Sequence, residues 1–357
     1  NVVIGKDAGA ALTTGDSNVA VGIDALYATT TSNHNVAIGK GSLGSNVTGE
    51  KNIAIGSASL DANTTGDQNV AVGNSALGSM NITNGSASYN TAVGADAGKS
   101  ITTGVENTIV GALAGDALTT GEMTALGFRA GSSATTSVGN VLIGSIAGDL
   151  LTTGGNNTAL GSQALANATT AADSVALGHD ALRNCTASNN TAVGSNAMVS
   201  TTSGDANVAV GKDTLQAHTT GRFNTGCGYS ALYSATTASF NTALGQAALT
   251  ACTTGGTNIG VGTGAGSGIT TGQGNICLGV EAGQNNVAVT DGVDNIFIGY
   301  QARANASNAT RQHVLGKQVT CTGDDNFTFG HGATDSNIAF GATSITAPSD
   351  ERYKEEI

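Results

Sequence analysis

The chain has 357 residues, 53 of them Gly and none Trp, with 11 % charged residues and a formal net charge of −12. That balance argues against nucleic acid or an anionic membrane surface as partner, since both select clustered Lys and Arg, and no apolar run is long enough to span a bilayer. The composition alone would fit disorder, but the apolar residues recur in fixed columns, which disorder does not produce.

The repeating unit is clearest from Asn18. It opens Asn18-Val19-Ala20-Val21-Gly22, continues through Ala25-Leu26 and a Thr30-Thr31 pair, and starts again at Asn35. Such anchors begin at 21 places between Asn1 and Asn337, most of them 17 residues apart; the fifth residue is Gly in all 21, and the first is Asn except at Met123, Ser174 and Gln312. The chain opens mid-pattern, as a piece of a longer protein would. A sustained period of this size predicts an all-β chain, a parallel β-roll or β-solenoid with coils of about 17 residues. Below, positions in a coil are counted from the anchor as position 1.

In Val19-Ala20-Val21 the outer residues point one way and the middle one the other. Position 4 is Ile, Val or Leu in most coils, with Cys227, Phe329 and Phe340 as exceptions, and is expected to form the constant wall of the core. The mostly Ala middle position implies that the opposite face is closely approached by another layer or another chain.

The Ala-Leu step carries a compensation. Where Leu stands at position 9, as at Leu26, Leu60 and Leu215, the residue three later is small or polar (Thr29, Asn63, His218); where Gly stands there, as at Gly9, Gly98, Gly115, Gly148 and Gly266, that residue is Leu12, Ile101, Leu118, Leu151 or Ile269. One large side chain is expected to fill one space from either position. Gly131 with Ala134, Gly283 with Asn286, and Leu77 with Met80 break the rule and point to local rearrangement.

Thr-Thr-Gly segments such as Thr13-Thr14-Gly15 suit bends, and the anchor Asn column suits a stacked amide ladder rather than a ligand site. Four of the five Cys, all but Cys321, occupy repeat columns as small apolar residues, so burial is expected and no metal or cofactor is implied. The longer coils from Asn69 and Asn275 are expected to place insertions on one face. Shortened intervals near the end divide the chain into a repetitive shaft (1–299), irregular C-terminal coils (300–347) and a junction (348–357).

The Asn-Val-Ala-Ile-Gly of Asn35 to Gly39 resembles the head repeats of trimeric YadA-like adhesins, which implies a trimer of left-handed parallel β-rolls. The closing Ser349-Asp350-Glu351-Arg352-Tyr353-Lys354-Glu355-Glu356-Ile357 resembles the start of the intramolecular chaperone domain of endosialidase-type phage tail proteins. That resemblance implies self-cleavage near Ser349 as nucleophile, with Lys354 activating it and Asp350 and Arg352 in support; the chaperone body is not in this sequence, so no enzyme activity is expected of it. Together the two resemblances imply a phage tail fibre on the virion, binding a host surface glycan or protein receptor, without membrane insertion or nucleic acid. A bacterial trimeric autotransporter adhesin head at the cell surface is the alternative, and a Thr-array ice- or surface-binding solenoid a further one.

Phe223, Tyr229, Tyr233 and Phe240 form the densest aromatic cluster and are the candidate glycan contacts, with packing between chains as the competing reading. A glycosidase would need two carboxylates in a cleft. Only Asp291, Asp294, Asp324 and Asp325 fall outside the regular turn columns.

Overall fold

The structure is a computed structural model that describes residues 1–83, 86–284, 288–332 and 334–342. It has 21 strands and no helix among the described residues, and its architecture is a parallel β-solenoid with one short strand per coil. Two compact units divide the chain, Asn1–Ser188 and Asn189–Ile357. The first holds β1 (Val2–Ile4), β2 (Val19–Val21), β3 (Val36–Ile38) and their successors to β11 (Val175–Leu177). Like positions face one another from coil to coil: Val19 pairs with Val36, Ala20 with Ala37 and Val21 with Ile38, in parallel. The second unit runs from β12 (Thr191–Val193) to β21 (Thr334–Ala339).

Between strands the backbone turns through left-handed residues at recurring places. In the coil from Asn18 these are Asp24, Leu26 and His34, at φ 57°, 50° and 60°. A left-handed Leu is strained by about 1–2 kcal/mol, but Leu26 is fully buried, and burying a Leu side chain contributes about 2 kcal/mol in return. The turns stack through backbone hydrogen bonds as the strands do, with the Leu26 N–H donating to Ser42 O at 3.0 Å and the Ala28 N–H to Gly44 O at 3.1 Å.

Strand orientation corrects the expectation for position 4. The middle residues Ala20, Ala37, Ala54 and Ala71 have no exposed surface, whereas the outer residues of the same strands are half-buried or exposed. Ile, Val and Leu at position 4 therefore form the outer surface, not the core wall. The coil is too narrow for large side chains from both of its sides, so a small middle residue leaves room for Leu26 or its equivalent from the facing turn. The Ala column reports the chain's own core and not a neighbouring layer.

The compensation between positions 9 and 12 is a shared volume. A Cβ added to Gly9 would lie 2.7 Å from Leu12 Cδ1, and one added to Gly98 would lie 3.0 Å from Ile101 Cδ1. A third position enters the same space, the middle strand residue: Ile109 Cδ1 would lie 3.0 Å from a Cβ on Gly115, and Leu142 Cδ2 2.9 Å from one on Gly148. This accounts for two exceptions to the rule. The space at Gly131 is taken by Leu142 and Met123, and that at Gly283 by Cys277 and Phe297; Asn286 lies outside the described residues. At Leu77 and Met80 both large side chains are fully buried, and this coil is the one lengthened at its next bend.

The Asn ladder is present. Asn18 Oδ1 accepts from the Asn35 N–H at 2.9 Å while its Nδ2 donates to Ser32 O at 2.8 Å, and Asn241 repeats both contacts with Asn258 and Gly255 at 2.9 Å each. Each buried amide thus satisfies backbone groups that the bend would otherwise orphan. The first Thr of several pairs bonds along the stack as well: Thr219 Oγ1 donates to Thr236 O, and Thr236 Oγ1 to Thr253 O, both at 3.0 Å. Since Thr253 O also accepts the Thr236 N–H at 2.9 Å, Thr236→Val should leave no unpaired group and cost no more than about 1 kcal/mol. Urea unfolding checks this, and Val47 already stands in that column.

The two insertions do not share a corner. In the coil from Asn69 the added residues follow Ile82, which still bonds Thr65 as a regular coil residue does; in the coil from Asn275 they come earlier, between Gln284 and Val289, before the Thr position. The described strands lengthen to six residues at β19 (Gln312–Lys317) and β20 (Asn326–His331). The last anchor, Asn337, is not the start of another parallel coil. β21 runs antiparallel to β20, placing Asn337 opposite Thr328 and Phe327 opposite Ile338.

Candidate functional site

Because positions 2 and 4 face outward, each unit carries an apolar strip on its strand face. In the first unit Ile38, Ile53, Ile55, Val93, Leu126 and Leu160 are 37–48 % exposed; in the second, Val208, Val210, Leu244, Ile259, Ile298 and Leu315 are 37–47 % exposed. Position 4 is apolar throughout, while position 2 alternates with Thr, as at Thr91, Thr108, Thr225 and Thr242. That Thr substitution was the available sign that this face is not core, since an unpartnered hydroxyl is disfavoured in an apolar interior.

Exposed rings border the strip. Position 17, just before the anchor, carries Tyr89, Phe223 and Phe240, at 57 %, 49 % and 57 % exposure; position 6, just after the anchor Gly, carries Phe128, Tyr229 and Tyr300, at 50 %, 52 % and 44 %. Phe128 and Tyr300 were not singled out from sequence because both lie outside the dense Phe223 to Phe240 stretch. The structure brings Phe223 and Phe240 together, stacked at 5.3 Å between centroids with an interplanar angle of 20°. Tyr229 has Lys212 Nζ over its ring at 5.4 Å. Tyr233 stands at position 10, in neither of these two columns, and like Tyr229 it lies within electrostatic reach of Lys212.

Cys227 corrects the expectation of burial. It occupies position 4 of β14 (Thr225–Cys227), between Val210 and Leu244 in the ladder, and is exposed, whereas Cys185, Cys252, Cys277 and Cys321 are buried. Burial pushes the Cys252 thiol up to about 11 and the Cys277 thiol up to about 12, leaving both unreactive at neutral pH.

The acidic candidates are held by local partners. Asp325 accepts from Arg311 through both oxygens, at 2.5 and 2.9 Å, and that pairing holds its carboxyl below the usual range. Asp324 accepts from the Thr310 N–H and from Gln312 Nε2 at 2.9 and 2.8 Å, and Asp291 from Thr290 Oγ1 at 3.0 Å. The Asp294 backbone N–H donates to Gln273 O at 3.0 Å. Near the first coils a shallow recess of about 470 Å³ is lined by Asp7, Asp24, Asp61 and Tyr27 and floored by Gly41 and Gly44; burial raises the Asp61 carboxyl above its ordinary value. Among the described residues no three His, Cys, Asp or Glu side chains are placed to hold a metal ion, and no helix is long and apolar enough to cross a membrane. Ser349 and Lys354, with Asp350 and Arg352, lie outside the described residues.

The most extensive surface feature is therefore the outward apolar strip with its aromatic rim. No family model matches the chain, and no curated protein and no solved structure was found similar to it.

Proposed function

We propose that this chain is a structural and adhesive segment of a phage tail fibre that works as a homotrimer in host-cell attachment. The observation that carries the reading is the outward apolar strip. A column that is Ile, Val or Leu in coil after coil, half-buried to exposed in a single chain, is an extended apolar surface of the kind that marks an interaction site. It is the surface expected of a chain whose strand face is covered by copies of itself. The repeat's resemblance to trimeric adhesin heads and the closing segment's resemblance to a phage chaperone junction support three copies and a virion origin. Attachment itself is carried by resemblance, with a host glycan or protein as receptor.

Light scattering tests the assembly. A mass of about 104 kDa, three times the 34.8 kDa chain, is expected; a stable mass of one chain would overturn the trimer. Labelled trimer should then adhere to a restricted set of host cells, and uniform failure across a broad bacterial panel would count against the attachment role.

A further inference from the structure

The six exposed rings at positions 6 and 17 occupy the two columns that flank the apolar strip. We infer that Phe223, Phe240 and Tyr229 are seam residues, packing on a second copy of this chain where two strand faces meet, and are not a glycan platform. The inference rests on the trimeric reading above and adds which residues close its edges.

Three observations favour a second copy as the occupant. The first is ring geometry. A sugar-binding ring offers a free flat face, but Phe223 and Phe240 already cover one face of each other at 5.3 Å, and Lys212 Nζ sits over Tyr229 at 5.4 Å. The second is continuity. Phe223 and Tyr229 each stand two residues from an end of β14 (Thr225–Cys227) and are 49 % and 52 % exposed, so the rings border the exposed strand face. The third is extent. In the second unit Val208, Val210, Leu244, Ile259, Ile298 and Leu315 are 37–47 % exposed along the strand face, an extended apolar centre with aromatic edges as protein–protein interfaces have.

The test uses the full chain and two readouts, mass and the reactivity of Cys227, the one exposed thiol. In the wild-type trimer Cys227 should react with a maleimide at least tenfold more slowly than in urea-unfolded chain, because the strip is covered; this readout needs no variant. The double variant Phe223→Ser with Phe240→Ser should shift the trimer–monomer midpoint at least tenfold in concentration and speed Cys227 labelling, with the β signal in circular dichroism retained. A wild-type trimer whose double variant keeps its mass and its Cys227 protection would overturn the seam assignment while leaving the trimer standing. The same result with loss of host-cell adhesion would make the rings receptor contacts. A wild-type mass of one chain would remove the trimer and the seam together.

Discussion

Gly94→Ala is expected to destabilise the first unit by about 4 kcal/mol or more, although it adds a single methyl group. Gly94 has φ 139°, a region that L residues enter at a cost of about 1–3 kcal/mol. The added Cβ would also lie 2.5 Å from Gly111 O, 2.6 Å from Gly111 C and 2.9 Å from Ala112 N. These are backbone atoms of the next coil and cannot rotate aside, so the two coils must separate, and overpacking of that kind costs about 1–3 kcal/mol more. Gly332→Ala separates the two contributions: its φ is 63° and a Cβ there would meet nothing within 4 Å, so only the left-handed penalty of about 1 kcal/mol should appear. Urea unfolding of both variants is the measurement. Equal losses would show that the stacked anchor carbonyls do not enforce Gly.

The same contact explains why so much of the fold was legible in the sequence. A solenoid has one structural problem per coil, and each solution is written as a column. Close stacking of Gly94 on Gly111 demands Gly every time, and the orphaned groups beside Asn18 and Asn35 demand Asn nearly every time. Period, strand position and ladder could therefore be read directly. Direction could not. Alternation in Val19-Ala20-Val21 says that the faces differ but not which is inside, and choosing the larger residues as core reversed the two. The decisive fact is the width of the coil, set by Leu26 entering from the facing turn, which no strand-level pattern contains.

The candidate surface was legible only in part. Phe223 and Phe240, one period apart, were found because column neighbours in a stack touch. Tyr233 was grouped with them by closeness in sequence, yet it stands at position 10, in neither of the two ring columns. Phe128 and Tyr300 were missed for the converse reason, since a rim becomes visible only when columns on both sides of the strand are known to face the same way. The acids followed neither logic. Asp213 recurs in a turn column like a solvated residue, but it is 7 % exposed, and although burial works to raise its pKa, hydrogen bonds from Lys212 and Asn196 hold the carboxyl below its ordinary value.

His218 should make the second unit acid-sensitive in a window set by one proton. It stands at position 12 below Leu215, fully buried, with Nδ1 3.2 Å from Thr201 Oγ1 and with the ring against the backbones of Gly204 and Gly221. None of these neighbours carries a charge. Burial, only partly opposed by a backbone contact at Gly221, lowers its pKa from 6.5 to about 4. The folded chain thus keeps the imidazole neutral at pH values where the unfolded chain protonates it. The stability due to the neutral ring is complete above pH 6.5, falls as pH drops from there towards 4, and changes no further below that. A shift of this size amounts to about 3 kcal/mol in total, and to about 2 kcal/mol at pH 5. His218→Asn is the matched control, because Asn46 and Asn63 fill the same position after a Leu and donate to Gly49 O and Gly66 O at 3.0 Å. Urea midpoints for the two proteins should diverge as pH falls from 7 to 5, with the wild type losing about 2 kcal/mol more. Parallel pH profiles would mean that the ring is protonated or solvated in the folded coil, and that the column tolerates a charge its packing should exclude.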